Sequence, residues 1–399
     1  TFLNKTTEYW RTWVQSCSIG NLWQEDVIRS ALTLKLHQFE DTGAIIASCT
    51  TSLPEYPNST RNWDYRYCWM RDSYYTLKAF HQIGHFKELE QYSAYIENLE
   101  PDSNGRYGPV YSLLGDNSFE EEILDLNGYK GNSPVRIGNQ AKEHIQNDVY
   151  GQMLVSISPL YTDERFTSRS LSKGKRLIMS LLQAIEQTMD EPDAGLWELR
   201  NYSQKHCYTF LFHWAGTKAA IKIAKKRNDR ELENYAQKLN KMAIDQIEKC
   251  YKPEVGAYSQ SIENSKLDAA QLQLITMGYL DPKSDKALAH LKAIEKELKT
   301  QEGLLFRYKH EDDFGLPEST FLICSYWYAE ALAIVGKVDE AVEQMENLLK
   351  YKNHLGLLSE DIDSKTGSQW GNFPQTYSHV GLMNAAFRIS NKMDRPEFL

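Results

Sequence analysis

The stretch CYTFLFHWAGTKAAIKIAKK (Cys207–Lys226) is followed, after Arg227 and Asn228 alone, by DRELENYAQKLNKMAIDQIEKC (Asp229–Cys250), and both halves carry helical patterns. Two helices in direct succession make a helical hairpin, and the alternation extends in both directions. Toward the C-terminus the patterns predict helices at Leu267–Met277, Ser284–Leu298, Phe321–Val335, Val338–Lys350 and Tyr377–Ile389. Toward the N-terminus they predict Ser172–Met189, Asn139–Ser158, a helix from Asp72 that runs past Gly84 toward Ile96, Gln24–Phe39, and a short helix Thr6–Trp13. In Gln24–Phe39 the apolar Val27, Ile28, Ala31, Leu32, Leu34 and Leu36 recur at mostly helical intervals, and the segment stops before Asp41-Thr42-Gly43. Strand signals are few and short. Roughly a dozen helices without a parallel sheet predict an all-α chain, a helical array or closed helical barrel in which neighbouring hairpins bury each other's faces. Closure gathers the loops at one end of the inner helices into a pocket. The longest irregular region, Glu100–Arg136, then reads as a functional loop rather than a domain linker.

With 41% hydrophobic residues over 399 positions, the chain has material for a large core. Its formal net charge of -9, with no basic block, argues against a nucleic-acid or anionic-membrane surface. No apolar run is long enough to span a bilayer, and the opening Thr1-Phe2-Leu3-Asn4-Lys5 is not a charged-then-apolar leader. A cytoplasmic location is favoured, although a processed secreted chain would read the same way. Composition leaves the oligomeric state open. The cysteines Cys17, Cys49, Cys68, Cys207, Cys250 and Cys324 lack the close paired spacing of a zinc site and read as free thiols, mostly buried. No metal site is expected.

The densest run of aromatic and charged side chains is Arg61-Asn62-Trp63-Asp64-Tyr65-Arg66-Tyr67-Cys68-Trp69-Met70-Arg71-Asp72-Ser73. Aromatic faces stack on the apolar face of a pyranose, while an Arg fork and a carboxylate fix hydroxyls, so the run reads as the floor of a sugar site. A half-buried segment carrying a structural ion pair would have the same composition. Glu198, beside Trp197 after the turn at Asp193-Ala194-Gly195, is a candidate general acid, its pKa raised by Leu196, Trp197 and Leu199 unless Arg200 points at it. An exposed turn carboxylate paired with Arg200 is the alternative. Glu360, in Gly356-Leu357-Leu358-Ser359-Glu360-Asp361-Ile362-Asp363, is a candidate base; a solvated acidic loop or a calcium site would also hold three acids in four positions, but no calcium-ligand loop matches. Inverting glycoside hydrolysis needs two such carboxyls about 6.5–9.5 Å apart. His379 reads as a core or supporting residue. No nucleophile elbow, phosphate loop or dinucleotide fingerprint is present, which removes most rival enzyme classes.

The chain resembles the catalytic domain of glycoside hydrolase family 15, the glucoamylase-type enzymes, in its bacterial branch. The resemblance rests on Thr42 to Ala47 with Thr50 to Glu55, Arg61 to Asp72, Gly128 to Gly131 with Pro134 to Asn139, Asp148 to Gly151, Gly195 to Glu198, Leu305 to Tyr308, Phe321 to Trp327, Gly356 to Glu360 and Gly371 to Gln375 with Ser378-His379. It implies an (α/α)6 barrel, a six-hairpin toroid over residues 21–399, preceded by a linker helix and lead-in at 1–20. It further implies Glu198 as acid, Glu360 as base, Arg71 and Asp72 as the grip on the terminal sugar, Tyr65, Trp69 and Trp197 as aromatics of the site, and Arg307 as a further sugar-binding group. An oligosaccharide or disaccharide substrate is implied, with no cofactor. The expected activity is release of β-glucose from the non-reducing end of an α-1,4 or α-1,6 chain or of trehalose, as in glucoamylases, glucodextranases or trehalases. A non-catalytic sugar-binding or regulatory homologue is the alternative. The segment after the acid, Lys205 to Trp214, departs from the pattern of many relatives and puts the outer subsites in doubt, and Leu199 stands where fungal relatives have a second Glu.

Overall fold

A computed structural model describes residues 1–166 and 171–394; residues 167–170 and 395–399 of the expected barrel lie outside the described residues. Its helices are α1 (Phe2–Gln15), α2 (Gln24–His37), α3 (Met70–Gln82), α4 (Phe86–Glu97), α5 (Asp148–Thr162), α6 (Leu171–Thr188), α7 (Cys207–Arg227), α8 (Arg230–Lys249), the short α9 (Gln273–Thr276) that continues a 3-10 turn at Ala269–Leu272, α10 (Asp285–Leu298), α11 (Leu322–Ile334), α12 (Val338–Leu349) and α13 (Thr376–Asp394). Helix α3 packs on α5, α5 on α7, α7 on the turn leading into α9, that segment on α11, α11 on α13, and α13 back on α3, which closes a ring. Helices α2, α4, α6, α8, α10 and α12 alternate with these along the chain and pack outside them. The architecture is the (α/α)6 barrel of six inner and six outer helices.

Sequence chemistry sorts the two layers. Inner α11, LICSYWYAEALAI, is buried at every position and has no polar face to offer solvent. Outer α8 buries Leu232, Ala236, Leu239, Ala243 and Ile247, spaced three or four apart, and exposes its charged residues. Truncating a fully buried ring residue such as Leu332 to Ala should cost about 2–5 kcal/mol, because the closed ring cannot collapse onto the cavity.

Three of the expected helices are broken or shortened. The helix predicted from Asp72 to Ile96 is two, α3 and α4, because Gly84 takes a left-handed conformation (φ 85°) and donates its N–H to His81 O, ending the first. Asn139–Ser158 holds only a 3-10 turn, Gln140–Glu143, before α5 starts, since the Asn139 side chain caps that turn. Leu267–Met277 begins with Asp268 accepting from Ala270 N, so regular helix is confined to its last part.

The strands are short and lie in the loops. Antiparallel pairs join β1 (Cys68–Trp69) to β2 (Val110–Tyr111), β3 (Glu122–Leu124) to β4 (Val135–Ile137), and β5 (Tyr251–Lys252) to β6 (Ala257–Tyr258). A three-stranded sheet orders β7 (Thr320–Phe321), β8 (Asp361–Ile362) and β9 (Gln369–Trp370). Strands β1 and β7 run straight into inner helices α3 and α11, so the sheets fix how those helices begin.

Candidate active site

Five of the inner helices open onto one pocket. Its lining comes from the first turns of α3 and α13, from the loops that precede α5, α7 and α11, and from Glu360 just ahead of β8. Tyr65, Trp69, Arg71, Asp72, Trp197, Glu198, Arg307 and Glu360 all line it. The N-terminal ends of α3 and α13 point into it, and their positive dipole ends favour buried carboxylates.

Glu198 sits on a tight turn. Its own backbone is left-handed (φ 59°), rare for a side chain of this size, with Glu198 N donating to Gly195 O at 3.1 Å and Leu199 N to Ala194 O at 3.1 Å. Buried Asp193 fastens the turn: it accepts from Asn147 N and Thr209 Oγ1, each at 2.8 Å, and from Gly195 N at 3.0 Å. Trp197 Nε1 donates to Asp268 Oδ2 at 2.9 Å, which fixes the neighbouring ring. The Oε1 atom of Glu198 then accepts from Trp69 Nε1 at 2.8 Å, Arg71 Nη2 at 3.2 Å and Gln146 Nε2 at 3.2 Å. Three donors on one oxygen set the rotamer and leave Oε2 as the oxygen available to substrate.

Glu360 is fastened from behind. Leu358 N donates to His379 Nε2 at 3.2 Å, Ser378 Oγ donates to Ser359 O at 2.6 Å, and Leu322 N donates to Glu360 O at 3.0 Å. His379 thus supports the loop that carries the carboxylate. Gly371 is forced to be glycine: it is left-handed (φ 80°), and a Cβ there would stand 2.7 Å from Glu360 Cβ. Glu360 Oε1 accepts from Tyr65 Oη at 2.7 Å, while its buried Oε2 has no hydrogen-bond partner. Tyr65 and Trp69 meet edge to face with centroids 5.5 Å apart, so each carboxylate is tied to one ring of a single aromatic pair.

The electrostatics overturn one expectation. Leu196, Trp197 and Leu199 were to raise the Glu198 pKa; burial does push that way, but Arg71 foremost, with His144 and the hydrogen bonds from Gln146 and Trp69, brings it below the usual carboxylate value. Arg200 is bound elsewhere. Its guanidinium reaches Gln140 Oε1 at 2.7 Å and Glu121 Oε2 at 3.0 Å and lies over the Trp63 ring. Burial, with Glu55 and Asp72 nearby, pushes Glu360 up to about 8 against the opposing hydrogen bond from Tyr65. These surroundings favour the proton on Glu360 over Glu198. Burial also pushes Asp72 up to about 7, with Glu198 adding to it and Arg71 opposing.

Several residues of the site escaped the sequence reading. Glu55 accepts the Arg307 fork, by a short bond from Nη2, and also accepts from Trp63 Nε1 at 3.2 Å, so Arg307 reaches the pocket already paired. Glu55 ends the Thr50–Glu55 motif, which was visible, but nothing in it separates a pocket acid from a loop acid. Gln146, whose Oε1 takes Arg71 Nη1 at 2.7 Å, fell inside a segment read as helix. Gln375 and Tyr377 also line the pocket, with Gln375 Oε1 and Tyr377 Oη buried and without hydrogen-bond partners. Among the described residues no helix is long and apolar enough to cross a membrane.

Comparison with known proteins finds relatives over nearly the whole chain. The sequence model described as Glycosyl hydrolases family 15 matches residues 23–387. A trehalase of Thermoplasma volcanium is 34% identical over 98% of this chain and 62% of its own length. A trehalase of Mycobacterium tuberculosis is 34% identical over 96% of this chain and 57% of its own. The chain therefore spans about three fifths of the length of these curated relatives. Among solved structures, a bacterial glucoamylase complexed with acarbose superposes with a TM-score of 0.73 at 18% identity, covering 98% of this chain and 59% of the other. At that identity the likeness concerns the fold.

Proposed function

Since the chain belongs to glycosyl hydrolase family 15, we propose that it is a glycosidase that cleaves an α-glucoside from its non-reducing end with inversion, and that its substrate is trehalose. The observation that carries the reading is the pair of carboxylates, Glu198 and Glu360, in one pocket, each held by one ring of the Tyr65–Trp69 pair. The choice of trehalose rests on the relatives named trehalases. Residues 21–399 form the catalytic unit in this reading, and 1–20 are its lead-in.

The terminal glucose lies on Tyr65 and Trp69 with its hydroxyls on Arg71 and Asp72, while Trp197 and Arg307 close the remaining walls. Glu198 carries its proton on Oε2, because Oε1 already accepts three hydrogen bonds. It delivers that proton to the glycosidic oxygen as the bond breaks and an oxocarbenium-like state develops. Glu360 accepts a proton from the water that attacks the opposite face. One proton enters from Glu198 and one leaves to Glu360, so the chemistry closes without a cofactor. Because the surroundings favour the opposite protonation, the reactive form of the free enzyme is a minority species, and its abundance depends on the gap between the two pKa values.

The test is to incubate the protein with trehalose, maltooligosaccharides and isomaltooligosaccharides and to follow the anomers of released glucose by proton NMR. Inversion of trehalose gives one β-glucose from the attacked sugar and one α-glucose from the leaving sugar, in equal initial amounts. Release of α-glucose alone would overturn inversion. Turnover of either oligosaccharide series but not of trehalose would overturn the substrate, and no product from any of them would leave a sugar-binding homologue.

A further inference from the structure

The ring of helices has a second mouth. At the end opposite the catalytic pocket, the C-terminal halves of α3, α5, α7 and α13 surround an open basin of about 950 Å³. Its floor and walls are apolar, with Tyr74, Val155, Pro159, Trp214, Ile221 and Met277, and its volume is that of a small-molecule site. The charged lining is lopsided. Lys78, Lys218, Lys222, Lys225, Lys226 and Arg388 face only Asp163 and Glu164 there, in a chain whose net charge is -9.

Helix ends and ion pairs account for part of this excess. Lys225 and Lys226 stand in the last turn of α7, where cations complement the helix dipole, and they have Glu233 at 3.8 Å and Glu164 as partners. Asp163 is taken by Arg165 Nε at 2.9 Å and faces His81 Nε2 at 3.4 Å. Deeper in the basin Lys78 Nζ and Arg388 Nη2 share a single oxygen, Oε1 of buried Glu330, at 3.3 and 3.6 Å, so one negative charge serves two positive ones. Lys218 and Lys222 lie more than one turn before the end of α7, beyond the reach of its dipole. Lys218 Nζ lies over the Trp214 ring, 4.4 Å from its centroid, and among the described residues neither it nor Lys222 has an acidic partner. Helix α7 carries no acid over its 21 residues, so Lys218, Lys222 and Lys226 repel one another at i, i+4 spacing. Three positive charges thus stand uncompensated around an apolar floor: Lys218, Lys222 and one of the Lys78–Arg388 couple. A concave, low-dielectric wall focuses their field on whatever enters.

We infer that this basin is a second binding site, which takes a phosphorylated small molecule carrying two or three negative charges. A phosphoryl group brings up to two charges and three acceptor oxygens in one small volume, a closer match to converging cations than a carboxylate. Its oxygens lie among Lys78, Lys218, Lys222 and Arg388, and the organic body rests on the apolar floor. Binding relieves a repulsion that the free protein carries. The inference goes beyond the glycosidase reading and does not depend on it, since no residue of the sugar pocket lines the basin.

The test is calorimetric titration of the full chain with pyrophosphate, ADP and adenosine, near neutral pH and at low salt. Pyrophosphate and ADP should bind once per chain and adenosine not at all, with affinity falling steeply as salt is raised. Lys218→Gln combined with Lys222→Gln should weaken ADP by about tenfold or more, and Lys218→Arg with Lys222→Arg should keep it. Both lysines are exposed, so the fold tolerates the change, and without ligand the double Gln variant should melt no lower than wild type because like charges have been removed. Failure of both anions to bind the wild type would overturn the inference, as would binding that the double Gln variant does not weaken or adenosine binding as tightly as ADP. A lower melt of that variant with unaltered titrations would show that the lysines serve only the helix end, which also overturns it. Turnover of trehalose enters none of these readouts, so loss of the glycosidase reading would leave the basin standing, and an empty basin would leave the glycosidase reading untouched.

Discussion

Replacing Tyr65 by Phe removes one oxygen atom and tests which carboxylate holds the proton. The hydroxyl donates to Glu360 Oε1 at 2.7 Å, and among the described residues no other hydrogen bond to that carboxylate is formed. A hydrogen bond to an ionised group is worth about 1.5–3 kcal/mol. Because it favours the charged form, losing it raises the pKa of Glu360, already about 8, by the equivalent of roughly 1 to 2 pH units. The consequence for kcat/KM, which reports the free enzyme, follows from the populations. With Glu198 low and Glu360 high, the acidic limb of the bell belongs to Glu198 and the alkaline limb to Glu360. Between them the reactive fraction is constant and equals the ratio of the two ionisation constants. Tyr65→Phe should therefore lower the plateau by about 10–100-fold, carry the alkaline limb upward by the same 1 to 2 pH units, and leave the acidic limb in place. The assay is a kcat/KM profile on trehalose across the bell, for wild type and variant. An acidic limb that moves upward over an unchanged plateau would refute the reasoning, since that is the signature of a normally ionised base.

The remaining predictions concern the same pocket. Glu198→Gln should reduce kcat on trehalose by about 10²–10⁴-fold with far-UV circular dichroism unchanged, and full activity would remove it as the acid. Glu360→Gln should be as inactive yet more stable than wild type at alkaline pH: the folded chain holds that proton up to about 8, the unfolded chain only to about 4.3, so stability is lost as pH rises between the two. Thermal melts should show the variant's advantage near pH 9 and none near pH 4; an equal difference at both would contradict the raised pKa. Asp72→Asn should cost about 10²–10³-fold in kcat/KM, because a grip that strengthens in the transition state is weakened, and an effect on KM alone would refute this. Gly371→Ala should lower stability by about 1–3 kcal/mol from its left-handed backbone and impair turnover more than the melt suggests, since the added Cβ pushes on Glu360.

The helical hairpins were legible because their signal is local. Periodicity and short breaks mark α7 with α8 and α11 with α12 within a residue or two of their observed ends. What was missed depends on single residues whose role is decided by other parts of the chain. Gly84 reads as a tolerable helix glycine until its left-handed conformation is seen. Asn139 and Asp268 read as members of helices, while their side chains cap turns instead. At the site, residue types and flanking motifs pointed to eight positions that share a pocket, but the sign of the Glu198 shift was wrong. Apolar neighbours in sequence were weighed against Arg200, whereas the charge that decides it is Arg71, 127 residues away along the chain. Contacts between loops set pKa values, and a single sequence does not list them.

The pocket's charges do not balance, and the imbalance suits the proposed reaction. Arg307 is paired with Glu55 and Arg71 with Glu198, which leaves Asp72 and Glu360 buried in the pocket without an arginine ion pair of their own among the described residues. Burial pushes both pKa values up. A neutral sugar relieves part of this by bringing hydroxyl donors to carboxylates that lack them. The oxocarbenium-like state relieves more, because positive charge then develops on the ring beside buried carboxyl groups and favours their ionised forms. Interactions that grow as the charge grows accelerate the reaction, whereas those equally strong with bound substrate would only tighten binding. The same excess makes the resting protein less stable at high pH. Removing a buried carboxylate should thus raise the alkaline melting temperature and lower turnover together, a coupling that a pocket built only to bind sugar has no reason to contain.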